Sequence, residues 1–140
     1  MIHWKDLKVW QKAHGLVLEI YKLTSSFPKE EVFGLISQLR RSSSSIPANI
    51  VEGQSRNTTK EYIQFLYNAR ASLEETRYHL LLSKDLDYVE NDKYNAFEIK
   101  YEEVSKMLNS LIKGLKEGIS GKDSGLRDMN SKGRDNNACK

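Results

Sequence analysis

The chain has 140 residues, 39% hydrophobic and 29% charged, with two prolines, eight glycines and a formal net charge of +3. That length suits one compact domain, and the composition excludes collagen-like, mucin-like and generally disordered readings. No stretch approaches the roughly 20 apolar residues of a membrane helix. Residues 1–10 show no signal-peptide pattern, so a cytoplasmic protein is expected. The single cysteine, Cys139, supplies neither an intrachain disulfide nor a zinc cluster.

The first predicted helix runs from about Asp6 to Ser25, with Trp10, Ala13, Val17 and Ile20 at helical spacing. Thr24, Ser25, Ser26 and Pro28 end it. The second starts near Lys29, where Pro28 and the acidic Glu30 and Glu31 suit a helix N-terminus, and ends near Gly53, read as a C-terminal stop. Val32, Ile36, Leu39, Ser43, Ile46 and Ile50 form its stripe. Pro47 sits inside it after four serines, Ser42 to Ser45. Proline lacks the backbone donor and clashes with the residue 43 carbonyl, so either a kink or a break is expected. Small serines also let a neighbouring helix come close.

The third helix is predicted over Thr59 to Leu86, with Thr58 or Thr59 as N-cap and Tyr62, Leu66, Ala69, Leu73, Thr76 and Leu80 as its stripe. Three consecutive leucines, 80 to 82, cannot all face one core, because each residue turns the helix about 100°. Leu81 and Leu82 are therefore expected at a subunit interface. The fourth helix, Asn91 to Glu117, carries the clearest periodicity: Tyr94, Phe97, Tyr101, Val104, Leu108, Leu111 and Leu115. Gly118 is read as its stop, and 119–140 as a flexible polar tail. Four amphipathic helices with short links and no strand pattern imply an all-α antiparallel up-down-up-down four-helix bundle over residues 1–118.

Chemistry has little to work with. The glutamate-histidine spacing of di-iron bundles is missing, although Glu75 and His79 are four apart; no metal and no cofactor is expected. Gly34, Gly53 and Gly114 stand alone and make no phosphate loop, and Cys139 has no fixed base. A non-enzymatic protein is expected.

The arginines are more informative. Those of residues 1–118 are Arg40, Arg41, Arg56, Arg70 and Arg77, all in the second and third helices or the turn between them. Arginine is the preferred residue for bidentate contact with carboxylate or phosphate. The cluster serves either ordered ion pairs, as the spacings Glu52–Arg56, Arg70–Glu74 and Glu74–Arg77 suggest, or a polyanion.

One stretch is more specific than periodicity: Gln38-Leu39-Arg40-Arg41, then Ser45-Ile46-Pro47-Ala48-Asn49-Ile50-Val51-Glu52-Gly53, followed by Arg56, Lys60-Glu61, Phe65-Leu66 and Ala71-Ser72-Leu73-Glu74-Glu75. With the opening Asp6-Leu7-Lys8-Val9-Trp10-Gln11-Lys12-Ala13, it resembles the bacterial 23S rRNA intervening-sequence proteins. The resemblance covers about residues 4–117. It implies a small helical protein that assembles as a ring of five, related to the accessory protein of diversity-generating retroelements, which partners a reverse transcriptase. It implies no enzymatic activity.

Joined to the residues, this gives an oligomeric RNA-binding or ribonucleoprotein accessory module. Its phosphate contacts are expected at Arg40, Arg41, Arg56, Lys60, Arg70 and Arg77. Pro47, Asn49, Glu52, Leu81 and Leu82 are expected to be structural or interfacial, with Asn49 filling the hydrogen-bond gap at Pro47. The partners would be further copies of the chain and structured RNA or a nucleic-acid-processing protein, with no membrane. The competing reading is an oligomeric protein adaptor without a nucleic-acid ligand. Arginines facing solvent along one rim favour the first reading, and arginines paired to glutamates favour the second.

Overall fold

The structure, a computed structural model, describes residues 2–130 and the side chains of residues 2–119. Among the described residues it is all-helical, with no strand: α1 (Lys8–Thr24), α2 (Leu35–Gln54), α3 (Thr59–Asp85) and α4 (Asn91–Asn130), with 3₁₀ turns at Trp4–Asp6 and Lys29–Glu31. Each helix packs on the next, and α1 also packs on α4; the α2–α3 contact is the most extensive. The core between them is one cluster, in which Ile20, Leu39, Ile46, Ile50, Leu66, Leu73, Leu80, Val104 and Leu108 are fully buried. These are stripe positions of their helices, so apolar periodicity decides which faces meet.

Pro47 neither breaks nor ends α2. The helix is continuous through it, and Pro47 is buried. The serines before it are used in two ways. Ser43 and Ser44 hydroxyls donate to the Arg40 and Arg41 carbonyls, while Ser42 and Ser43 are buried without bulk, which allows close packing on α2.

The start of α2 differs from the expectation. Lys29–Glu31 form only a 3₁₀ turn, Gly34 is non-helical (φ −109°, ψ −114°), and the α-helix begins at Leu35. Glu31 is the cause. Its Oε1 accepts from the Leu35 backbone N–H at 3.0 Å, which caps α2, and its Oε2 accepts from Tyr88 Oη at 2.9 Å. One carboxylate thus joins the start of α2 to the loop between α3 and α4.

Neither expected glycine stop operates. No described glycine has positive φ, so none forms a left-handed cap. Gly53 lies within α2 and is buried against α3, where a Cβ would meet Phe65 Cβ at 2.8 Å and Tyr62 Cδ1 at 2.9 Å. It is a close-approach glycine. Gly118 stays helical and α4 continues to Asn130, because glycine within a helix costs only about 1 kcal/mol against alanine. Of the expected tail, residues 131–140 lie outside the described residues.

Thr58 caps α3. Its Oγ1 accepts from the Glu61 backbone N–H at 3.1 Å and donates to the Glu61 carboxylate at 3.1 Å.

Candidate functional site

The arginines occupy faces of α2 and α3 and the turn that joins them. Arg40 Nε donates to Thr24 Oγ1 at 2.9 Å and its Nη2 to the Tyr21 carbonyl at 3.2 Å, while the guanidinium lies 4.5 Å from the Tyr21 ring centre. Arg40 therefore clamps the last turn of α1, as a further donor to a Tyr21 carbonyl that the Ser25 N–H already reaches. Arg41 reaches Gln38 Oε1 at 2.8 Å and pairs with Glu75 of α3. Glu75 also faces His79 Nε2 at 3.3 Å, so the expected Glu75–His79 pair belongs to a chain that ends on Arg41. Among the described residues, no group of three metal-ligating side chains is placed to hold an ion.

Arg56, in the α2–α3 turn, lies 3.8 Å from Glu52 and stacks over Phe65 at 4.5 Å. Arg70 donates to Asn109 Oδ1 of α4 at 3.0 Å and stacks over Tyr67. Arg77 is the most engaged. It sits between α3 and α4, within 3.4 Å of Glu74, Glu98 and Glu102. Hydrogen bonding to Glu98 is the main reason its pKa rises above the ordinary arginine value. Lys60 is exposed and has no ion pair among the described residues. The six expected phosphate contacts are thus dispersed: five are bound internally and one is not.

Of the expected structural residues, Asn49 donates through Nδ2 to the Ser45 carbonyl at 2.7 Å. The carbonyl deprived of its donor by Pro47 is that of Ser43, so Asn49 does not fill that gap. Glu52 is exposed and pairs with Arg56 of its own chain. The three leucines separate as the 100° step requires: Leu80 is buried, Leu82 packs partly on the core, and Leu81 is exposed.

Sequence reasoning missed Glu98 and Glu102, the α4 carboxylates that hold Arg77. Their spacing of four residues, opposite an arginine on the preceding helix, was the available signal. It named Trp10 as a stripe residue but missed the ring contacts around it, where Trp4 packs edge-on to Trp10 at 4.8 Å and Trp10 stacks on His14.

A sequence model of the family described as 23S rRNA-intervening sequence protein matches residues 5–110. The chain belongs to that family. The match takes in α1, α2, α3 and the first half of α4, including Pro47 and the arginines at 40, 41, 56, 70 and 77. A crystal structure of a protein of unknown function from the S23 ribosomal protein family, from Bacteroides thetaiotaomicron, is similar. It is 28% identical with a TM-score of 0.67, and the alignment covers 74% of this chain and 97% of that one. No curated protein matches the chain.

Proposed function

We propose that this member of the 23S rRNA-intervening sequence protein family is a non-catalytic, cytoplasmic adaptor that works as an oligomer. The observation that carries the reading is the internal engagement of the arginines. Arg41, Arg56 and Arg77 face glutamates, and Arg40 and Arg70 hold neighbouring helices. A guanidinium that already faces a carboxylate has fewer of its five N–H donors, and less uncompensated charge, to offer a phosphate. An RNA ligand, in this reading, is held elsewhere than on the arginine faces.

The contacts Ser42–Thr76 and Gly53–Tyr62 between α2 and α3, and Arg70–Asn109 and Arg77–Glu98 between α3 and α4, run in opposite senses along each pair. They support an up-down-up-down bundle. Self-association draws support from the large apolar side chains left in solvent. Phe33 is 94% exposed beside the half-exposed Val32, and Tyr78 and Leu81 lie out on α3. The family resemblance implies five copies.

Sedimentation at several protein concentrations tests the reading. The wild type is expected to sediment as an oligomer. Phe33→Ser and Leu81→Glu, both at exposed positions, are expected to lower its mass with unchanged helicity. Arg41→Ala is expected to leave any RNA affinity unchanged. A monomer at every concentration overturns the proposal.

A further inference from the structure

Four aromatic rings form a ladder at the start of the chain. His3 lies 4.9 Å from Trp4, Trp4 meets Trp10 edge-on at 4.8 Å, and Trp10 stacks on His14 at 4.9 Å with the planes 6° apart. The ladder exists because the 3₁₀ turn folds Trp4 back onto α1, while Trp10 and His14 are one helical turn apart. Only Trp10 belongs to the side chains packed against the core, so it anchors the other three. His3 and His14, at the two ends, are exposed. Rings in a core serve packing; rings stacked outward from it offer π-faces.

The charge around the ladder is as distinctive. Residues 2–12 contain three lysines and one acid, Asp6. Lys12 is paired with Glu103, but Lys5 and Lys8 have no carboxylate partner among the described residues, and Lys5 lies over the Trp4 ring at 5.5 Å. The 3₁₀ turn packs on α2. Because the first half of α2 bonds the end of α1 through Arg40, its C-terminal end lies beside the start of α1. The unpaired cations here are thus flexible lysines beside stacked rings, unlike the arginines locked on the helix faces.

We propose that this end of the body is a platform for single-stranded nucleic acid. Unpaired bases would stack on the exposed faces of the ladder, while phosphates meet Lys5 and Lys8. Stepped aromatic rings beside unpaired lysines are the combination that binds single strands without sequence preference. Lysine supplies phosphate contact as a point charge and needs no bidentate geometry. The platform does not depend on how the chain assembles with itself.

Both tryptophans of the chain lie in the ladder, so tryptophan fluorescence, excited selectively over the seven tyrosines, reports on this site. The experiment titrates the full chain with a single-stranded oligouridylate of about twelve nucleotides, and with a blunt RNA duplex of equal length, at low and high salt. The single strand is expected to quench the fluorescence and the duplex to bind more weakly. Trp4→Leu and His14→Ala are each expected to weaken binding roughly tenfold, as removing one stacking ring does. Lys5→Glu with Lys8→Glu is expected to weaken it further and to flatten the dependence of log affinity on log salt by about 0.7 for each phosphate no longer neutralised. His14 is exposed, so its variant remains informative if Trp4→Leu is poorly folded. Absence of quenching at low salt overturns the proposal. So does equal affinity for the duplex, or wild-type binding by a folded His14→Ala variant together with wild-type binding by the lysine double variant.

Discussion

Arg77 holds Glu98 through two guanidinium nitrogens, Nε and Nη2, each 3.2 Å from a different carboxylate oxygen. The pair crosses from α3 to α4, and the Arg77 side chain keeps only 25% of its surface in solvent. Glu74 and Glu102 complete the cluster, so the arginine answers three carboxylates gathered at one helix seam.

A double-mutant cycle with Arg77→Ala and Glu98→Gln is expected to give a coupling energy of about 1 kcal/mol in urea unfolding, near the top of the range for partly exposed pairs. Arg77→Lys is expected to lose much of that coupling, since an ammonium cannot reproduce the parallel two-nitrogen contact. Zero coupling would mean that the pair adds nothing to stability.

Tyr101 is fully buried, and its hydroxyl has no hydrogen-bond partner. Tyr101→Phe is therefore expected to be neutral or to stabilise by up to ~1 kcal/mol, because it removes an unsatisfied donor without opening a cavity. Burial raises the Tyr101 pKa far above the ordinary tyrosine value. The folded state then holds the phenol neutral at a pH where the unfolded chain ionises. Its contribution to stability is complete below about pH 10 and is lost as the pH rises beyond that. Tyr62, Tyr88 and Tyr94 are raised as well and act with the same sign. Melting temperatures measured between pH 8 and pH 11 should fall at the alkaline end, and less steeply in Tyr101→Phe.

Glycines at three positions should respond oppositely to alanine. Gly53→Ala places a Cβ 2.8 Å from Phe65 Cβ and 3.2 Å from the Tyr62 carbonyl, atoms that cannot swing aside. It is expected to destabilise by about 2 kcal/mol. Gly15 in α1 and Gly114 in α4 have nothing within 4 Å of an added Cβ, so Gly15→Ala and Gly114→Ala should each stabilise by about 0.5–1 kcal/mol. Thermal melts of the three variants decide the matter.

A fully buried side-chain hydrogen bond joins α2 to α3. Thr76 Oγ1 lies 2.8 Å from Ser42 Oγ and 2.8 Å from the Ser72 carbonyl, and both Ser42 and Thr76 are fully buried. Thr76→Val is expected to cost about 1–3 kcal/mol because it strands the Ser42 hydroxyl. Ser42→Ala added to Thr76→Val should recover part of that loss, so that the double variant is more stable than the sum of the singles predicts. Additive losses in chemical denaturation would show that the two hydroxyls are not coupled.

The four helices and the faces they bury were legible in the sequence, because helical periodicity places apolar residues on one side regardless of what lies opposite. Tyr101, Val104 and Leu108 were named from spacing alone and are fully buried. The Thr58 cap was legible for a similar reason: a threonine three residues before a glutamate needs only its own neighbours to act. The roles of Gly53 and Gly118 were not legible. Both could stop a helix, and only the position of α3 shows that Gly53 is where two helices come closest.

The arginines mark the same boundary. Their number, type and clustering are sequence properties, and so was the choice they left between carboxylate and phosphate. What decided the partners of Arg77 was the packing of α4 on α3, which brings Glu98 and Glu102 to it from more than 20 residues along the chain. Arg40 likewise meets the end of α1 only because α2 folds back beside it. Periodicity is local and can be read along a chain; the partner of a long charged side chain depends on which helix lies across the groove, and that is settled only when the helices pack.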